Sequence, residues 1–398
     1  MIDVTRIRQL SQLYFKDIVA VRQHLHQHPE LSFNEFNTQK YVIEQLGIIG
    51  IEQVKVMADT GVVALIEGKD PGKKTVALRG DMDALPITEQ NDVEYKSVNE
   101  GVMHACGHDV HTSCLLGAAR ILYELRNDFE GTVKLVFQPG EEKLPGGASI
   151  MIREGVLSNP DVNSMIGQHV MPLLPVGSVG FRSGLYMAST DEIYVTVKGK
   201  GGHGAMPHLN IDPVLITAHL ITALQQLVSR MGNPAMPSVL SFGKVMANGA
   251  TNVIPNEVKL EGTFRTMDEK WREEAHQKMV KLAEGLAESM GGSCEFDIHK
   301  GYPYLQNNPE VTRRAKQAAI NYLGEDKVVD LDIWMAAEDF AFFSQQVPAT
   351  FYRLGVRNEE KGITSSVHTP TFNIDEEALK TGMGLMAWIA LGELENKD

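Results

Sequence analysis

The densest group of chemically active side chains in the 398-residue sequence lies at residues 103–111, which read MHACGHDVH. A thiolate at Cys106 and an imidazole at His108 are two positions apart, so on a loop both can face one cation, and both are good ligands for zinc-like metals. Cys106 could instead be a nucleophile beside His108 or His111, although no oxyanion-hole motif is legible next to it. The blandest interpretation is a helix N-terminus that happens to be rich in His and Asp.

Residues 138–142, which read QPGEE, place two carboxylates side by side. One of them can bind a metal while the other accepts a proton from a water whose pKa the cation lowers. Taken alone, Glu141 and Glu142 would more often be solvated loop residues. Their position at a strand end makes a site more plausible, because His169 lies at another strand end and His368 lies in the segment SVHTP at 366–370, although each of these histidines alone is more often structural.

The candidate side chains follow predicted strands. Residues 75–79 lead into Asp81 and Asp83, residues 132–137 lead into QPGEE, and residues 164–168 lead to His169. From about residue 40 to residue 180 these runs alternate with helical patterns, which predicts a mainly parallel sheet covered by helices. Since ligands collect beyond the carboxyl ends of strands in such sheets, we expect the polar groups to converge on one edge.

The pattern of predicted strands and helices changes in the middle of the chain. A length of 398 residues favours two domains. The pattern after residue 191 reads β-α-β-β-α-β, the order of a ferredoxin-like sandwich, with strands at 192–198, 238–246, 258–266 and 294–299 and helices at 213–231 and 268–290. We therefore predict an α/β catalytic domain in two parts, 1–184 and 299–398, interrupted by an inserted α+β ferredoxin-like lid or dimerisation domain at 185–298. Helices at 309–323 and 375–393 would resume the α/β domain.

Composition excludes several classes of protein. A formal charge of −14 and a pI near 5.4 argue against a broad surface for nucleic acid or anionic membranes. Residues 1–16 read as an amphipathic helix without signal-peptide features, and no apolar run reaches the roughly 18 residues of a membrane span, so we expect a cytoplasmic protein. Cys106, Cys114 and Cys294 are too few and uneven for a disulfide framework, which favours free thiols.

Read together, these segments resemble the M20 metallopeptidase family, and within it the amidohydrolase branch of aminoacylases, hippurate hydrolases and IAA-amino acid (auxin-conjugate) hydrolases. The resemblance spans nearly the whole chain, and several independent motifs in the expected order make it specific. The motifs lie at residues 22–32, 79–86, 103–111, 138–142, 201–208, 252–256, 262–265, 337–340 and 368–370.

The resemblance implies a binuclear metal site with Glu141 as the general acid and base and Asp83 as a carboxylate that orients a ligand. Peptidase branches begin the Asp83 motif with His-x-Asp, whereas this chain has Asp81-Met82-Asp83. His108 is expected to replace the missing histidine, and Cys106 a bridging aspartate. The ions would be Zn²⁺ or Mn²⁺, with Co²⁺ or Ni²⁺ as alternatives, because thiolate ligation leaves the metal open. The implied ligands are Cys106, His108, Glu142, His169 and His368.

The resemblance also assigns substrate contacts. His203 would reach across a dimer to the scissile carbonyl and stabilise negative charge there. Asn252 and Arg265 match positions that bind the substrate carboxylate, a task that suits a guanidinium group, although Arg265 in a strand could equally be a surface charge. The family offers no ligand among His24, His26 and His28, so we interpret that cluster as structural.

The predicted function is metal-dependent hydrolysis of N-acetyl or aryl-acyl amino acids to a carboxylic acid and a free amino acid. The expected assembly is a homodimer through the inserted domain. A di- or tripeptidase of the same family is the nearest rival, but it must hold a free α-amino group, and no acidic residue can be assigned to that task. A metal-free binding protein with a dead site is the rival from another class.

Overall fold

Apolar and amphipathic stretches of the sequence form nine α-helices within residues 2–396, the part of the chain described by the computed structural model. Several of the helices begin at side chains that cap free backbone N–H groups: Asp3, Asp212, Asp268 and Asn308 each accept bonds from the first turn. The helices are α1 Val4–Gln27, α2 Phe36–Ile49, α3 His108–Glu124, α4 Gly147–Arg153, α5 Pro213–Leu224, α6 Glu269–Ser289, α7 Pro309–Leu323, α8 Ala341–Ser344 and α9 Glu377–Glu395.

The strands within the same residues are mostly short and β-branched or aromatic in composition. They are β1 Val54–Met57, β2 Gly61–Glu67, β3 Thr75–Asp81, β4 Thr132–Gln138, β5 Ser164–Pro175, β6 Val179–Phe181, β7 Gly184–Met187, β8 Asp191–Lys198, β9 Gly202–His203, β10 Ser238–Met246, β11 Val253–Ile254, β12 Glu257–Thr266, β13 Ser293–Lys300, β14 Leu305–Asn307, β15 Val328–Asp330 and β16 Ala349–Arg357.

These elements belong to two units. The first unit extends to Tyr186 and resumes at Gln306–Ile333 and from Asp339 onward. The second, here called the inserted unit, comprises Met187–Leu305 and Trp334–Glu338. Within residues 2–396, no helix is both long and apolar enough to cross a membrane.

An eight-stranded sheet organises the first unit, in the order β1-β2-β4-β3-β5-β16-β6-β15. Its central strands β4, β3, β5 and β16 run parallel, while β1, β2 and β6 pair antiparallel with a neighbour. Every residue of β3 and of β4 is buried, as expected of strands covered on both faces. Helix α3 packs between α1 and α9 and is itself almost entirely buried. The predicted mainly parallel sheet is confirmed.

The inserted unit is a four-stranded antiparallel sheet, in the order β10-β12-β8-β13, with helices α5 and α6. In chain order these elements read β-α-β-β-α-β, which is the predicted ferredoxin-like pattern. Strand β8 alternates strictly, so that Ile193, Val195 and Val197 face the core formed with both helices. This alternation is typical of a sheet with one covered face.

Two elements differ from the expectation. The helix predicted at 213–231 ends at Leu224, and a separate π-helical turn occupies Leu227–Met231. Strand β5 continues past residue 168 to Pro175, so that His169 lies inside the strand, opposite Arg353 of β16. The prolines at 172 and 175 argue against a strand. They are tolerated because the β5–β16 pairing becomes irregular beyond Gly355.

Candidate active site

Cys106 and His108 flank a glycine that no other residue could replace without strain. Gly107 has a φ of 84°, and a Cβ added to it would lie 2.6 Å from Cγ2 of Val170. The turn at Gly107 ends the loop and starts α3 at His108. Cys106 therefore approaches from the loop and His108 from the first helical residue, and both side chains are buried.

Four side chains surround the Cys106 thiol or lie next to its neighbours. Sγ of Cys106 is 3.4 Å from Nε2 of His169 and 3.3 Å from Nε2 of His368. The same nitrogen of His368 lies 3.2 Å from Oε1 of Glu142. His108 completes the group, since its ligating atom lies within 4.8 Å of those of Cys106 and His169. Residues that are up to 262 positions apart in sequence thus meet at one point.

The two buried histidines are oriented by hydrogen bonds from their other ring nitrogen. Nδ1 of His108 donates to Oδ1 of Asp83 at 3.1 Å, and Nδ1 of His169 donates to the carbonyl oxygen of Val170 at 2.8 Å. In the neutral form of each ring, these bonds leave Nε2 with its lone pair available to a cation. Nε2 of His108 is buried and has no hydrogen-bond partner among the described residues, so it is suited to be a metal ligand.

The donor set fits a zinc-like metal. Tetrahedral ligation at ordinary metal–sulfur and metal–nitrogen distances separates the two ligand atoms by about 3.5 Å, close to the 3.3 and 3.4 Å between Cys106 and its two histidines. Thiolate, imidazole and carboxylate together are typical ligands of Zn²⁺ and its neighbours. The site is buried at His108 and opens toward solvent at His368, whose side chain is 52% exposed.

Glu141 adjoins this cluster from the end of β4. Its ligating atom lies within 4.8 Å of those of His108 and Glu142, and its side chain is only 6% exposed. Gly140, with a φ of 58°, sets the turn that separates the two carboxylates. The backbone N–H of Asp339 donates to Oε1 of Glu141 at 3.3 Å. Glu141 is therefore held beside the cluster, but its side chain is not among those next to the Cys106 thiol.

Carboxylates dominate the electrostatics of the cluster. Burial and the carboxylates of Glu142 and Glu141 raise the pKa of the Cys106 thiol well above its usual value. Burial lowers the pKa of His108, but Asp81, Asp83 and Glu142 outweigh it and raise that pKa to about 10. A bound cation would reverse both trends, because it favours the thiolate and the neutral imidazole.

Two residues of this region make contacts that were not predicted from the sequence. His111 donates from Nδ1 to Oδ1 of Asp81 at 2.5 Å and accepts at Nε2 from the N–H of Val170 at 2.8 Å. Asp81 in turn lies 3.6 Å from Nε2 of His108. The spacing of three residues between His108 and His111, on one face of the first turn of α3, was the available signal.

A buried ionic network supports the strand ends. Arg79 donates to Asp81 at 2.6 Å, to Asp339 at 2.9 Å and to Oε1 of Gln138 at 2.9 Å. Gln138 and the N–H of Ala148 also donate to Asp339. The guanidinium thereby joins the ends of β3 and β4 to the segment that contacts Glu141.

The predicted substrate residues all lie in the inserted unit. His203 in β9 pairs with Val253 of β11, and Gly204 donates to the carbonyl of Asn252 at 2.8 Å, so that His203 and Asn252 share one small ribbon. Both are exposed or nearly so. Arg265 lies instead in β12 of the four-stranded sheet, half-buried, opposite Val239.

The N-terminal histidines have structural contacts. His26 is buried between Asp109 and Glu89, at 2.8 and 3.1 Å. His24 stacks on Tyr41 with ring centroids 3.9 Å apart. His28 bonds to the carbonyl of His24 at 2.9 Å.

Comparisons with known proteins agree on one family. Residues 77–391 match the profile of peptidase family M20/M25/M40. The chain is 44% identical to an N-acyl-L-amino acid amidohydrolase of Geobacillus stearothermophilus, over 76% of this chain and 81% of that one. It is 39% identical to thermostable carboxypeptidase 1 of Saccharolobus solfataricus, over 94% of both.

A solved structure extends the similarity to three dimensions. The Bacillus subtilis protein YxeP, described as a dinuclear metal-binding peptidase of the M20 family, superposes with a TM-score of 0.83 at 34% identity. The superposition covers 97% of this chain and 100% of that one.

Proposed function

Because the chain belongs to peptidase family M20/M25/M40 and is a hydrolase of amide bonds, we propose that it cleaves N-acyl amino acids to a carboxylic acid and a free amino acid. The observation that carries this proposal is the meeting of Cys106, His108, Glu142, His169 and His368 around one point, with Glu141 beside it. Such a donor set beside a buried carboxylate is suited to metal-assisted hydrolysis.

The relatives support a substrate with a free carboxylate next to the scissile amide. An N-acyl amino acid and the C-terminal residue of a peptide share this feature, so the names amidohydrolase and carboxypeptidase describe one chemical pattern. Arg265 and Asn252 are the residues that we propose for this carboxylate, and His203 the one for the carbonyl oxygen. A planar guanidinium binds a carboxylate through two parallel hydrogen bonds.

Two divalent cations held by the five ligands would polarise the amide carbonyl and make water acidic enough to react near neutral pH. Glu141 accepts the proton of the water that attacks the acyl carbon, and it returns this proton to the amino-acid nitrogen as the C–N bond breaks. Asp83 holds the ring of His108, and Val170 holds that of His169, so that neither ring rotates during turnover.

The electrostatics favour this role of Cys106 over a nucleophilic one. A cysteine nucleophile needs a lowered pKa, whereas burial and nearby carboxylates raise the pKa of Cys106. As a ligand, the same thiol would bind the metal as the thiolate and release its proton to solvent. Cys106→Ser should therefore lower metal content as well as activity. Cys294→Ser, which changes a half-buried thiol of the inserted unit, is the matched control and should alter neither.

The test is a panel of N-acetyl, N-benzoyl and free dipeptide substrates, assayed with Zn²⁺, Mn²⁺, Co²⁺ or Ni²⁺ after chelation. We expect turnover of the N-acyl amino acids, and a loss of about 100- to 10,000-fold in Glu141→Gln with metal content retained, since a general base contributes about 10²–10⁴-fold. Preference for free dipeptides would instead identify a dipeptidase. A protein that neither binds metal nor hydrolyses the panel would be a binding protein.

We also propose that the inserted unit forms a homodimer. Strand β10 lies at one end of its sheet and exposes Val239 and Val245, and α5 exposes Val214 and Leu215. Leu215→Glu with Val245→Lys should then give monomers by light scattering, whereas Val98→Lys, at an exposed site of the first unit, should not. If His203 serves the partner's site, mixed His203→Ala and Glu141→Gln proteins should recover activity. A monomeric wild type at micromolar concentration would contradict the proposal.

A further inference from the structure

A short segment between α1 and α2 contacts the loop that carries both glutamates, and the mechanism above gives it no role. Here it is called the brace, residues 32–35, and the loop it contacts is residues 139–142. The brace lies at the end of the N-terminal motif at 22–32, whose histidines are structural. Its first contact is indirect: Ser32 donates to Oδ2 of Asp83 at 2.6 Å, and the same oxygen accepts from the N–H of Glu142 at 3.0 Å.

The second contact is made by Phe33. A Cβ added to Gly140 would lie 2.4 Å from Cε1 of Phe33, so the ring rests directly against the Cα of Gly140. Phe33 itself has a φ of 64°, a left-handed conformation that is costly for an aromatic residue. The surrounding structure therefore holds Phe33 in a strained backbone that places its ring under the loop.

The third contact is the most specific. Glu35 precedes α2 as its N-cap residue, yet its side chain makes no capping bond there. Oε1 accepts instead from the N–H of Gly140 at 2.8 Å, and Oε2 accepts from the hydroxyl of Thr60 at 2.7 Å. Glu35 is fully buried, and burial together with the charge of Asp83 raises its pKa to about 7. A carboxyl group is thus kept in an unfavourable environment where it fixes one backbone amide.

We propose that Glu35, supported by Phe33, is a positioning residue that fixes the peptide of Gly140 and so directs Glu141 and Glu142 to their separate tasks. Gly140 is the turn from which the two carboxylates diverge, and its φ of 58° lies in a region that glycine occupies without steric cost. An unrestrained glycine can leave that conformation, and an error of about 1 Å in a catalytic group can cost roughly 100-fold in rate. The expected effect on catalysis rests on the proposed function, whereas the restraint of Gly140 by Glu35 does not depend on it.

The experiment compares Glu35→Met, which keeps the volume of the side chain, with Glu35→Gln, whose amide oxygen can still accept from Gly140. Glu30→Ala is the matched control: Glu30 accepts from the N–H groups of Asn37 and Thr38 at the start of the same helix but does not bond to residues 139–142. Hydrogen exchange of residues 138–142 in the metal-free protein reads the restraint directly. Steady-state kinetics on an N-acyl amino acid reads its effect on catalysis.

We expect exchange at Gly140 to accelerate at least tenfold in Glu35→Met, with kcat reduced about 10- to 100-fold and KM nearly unchanged. Glu35→Gln should recover most of both losses, and Glu30→Ala should change neither. If Glu35→Met does not fold, Phe33→Ala is measured with the same expectation. Unchanged exchange at Gly140, or an equal loss of kcat in Glu30→Ala, would overturn the inference. If the proposed function is wrong, the wild type will lack activity on N-acyl amino acids. Hydrogen exchange at Gly140 will still show whether Glu35 restrains this residue.

Discussion

Removal of the Arg79 guanidinium should destabilise the first unit more than any exposed ion pair could. Arg79, Asp81 and Asp339 are each 0% exposed, and Arg79 donates to both carboxylates. Arg79→Met would leave two buried carboxylates without their common cation, a change that typically costs about 3–5 kcal/mol. At about 2 °C per kcal/mol for a unit of this size, the melting temperature should fall by roughly 6–10 °C.

The assay is thermal unfolding of metal-free protein, with Arg120→Met as the control. Arg120 pairs with Asp17 at 2.7 Å, but both side chains are partly exposed, so its loss should cost at most about 1 kcal/mol. Burial raises the pKa of Asp81, but Arg79 helps to lower it in the wild type. In Arg79→Met this carboxylate can take up a proton more readily, so the difference in stability from wild type should narrow as the pH falls toward 4. A shift below 2 °C, or one equal to that of Arg120→Met, would refute the reasoning.

Three further changes test other parts of the structure. Lys134→Met should lower the melting temperature, because Nζ donates to the carbonyls of Val156, Ser158 and Pro160. Burial lowers the pKa of Lys134 to about 8, so the unfolded chain binds this proton more tightly, and wild type should gain stability relative to Lys134→Met between pH 8 and 10. Gly107→Ala should weaken metal binding and lower the free energy of unfolding by about 1–3 kcal/mol. Gly101, with a φ of 77° and open space around it, is the control, and Gly101→Ala should lower stability through backbone strain without weakening metal binding. Calorimetry and metal titration measure the two effects. Burial raises the pKa of Asp191, but His276 and Arg272 outweigh it and lower that pKa. The stability that this lowered pKa adds is lost below about pH 4. Asp191→Asn should therefore be less stable at neutral pH and lose less stability on acidification, as unfolding followed by circular dichroism would show.

The local part of the site could be predicted from the sequence. Cys106 and His108 are two residues apart, and Glu141 and Glu142 follow a mostly apolar run at residues 132–137, so residue type and spacing carry the signal. The ferredoxin-like order of the inserted unit was also legible, because β8 alternates strictly and Asp268 caps α6. Such features depend on neighbours along the chain.

The supporting contacts could not be predicted in the same way. Arg79 and Asp339 are 260 residues apart, and nothing in either segment indicates the other. Glu35 stands just before α2 as its N-cap residue, and only the folded chain turns its carboxylate toward Gly140. His169 was expected after a strand and lies within one, because pairing with β16 overrides the effect of the prolines beyond it. Long-range packing decides all three.

The two ends of the inserted unit lie next to each other. Asp191, where β8 begins, pairs with Lys300, where β13 ends, and Thr190 exchanges backbone bonds with Gly301 and Tyr302. The chain therefore leaves and returns along adjacent antiparallel paths. A gene could lose or exchange most of this module, with a tight turn closing the gap, and the order of strands in the main sheet would need no rearrangement.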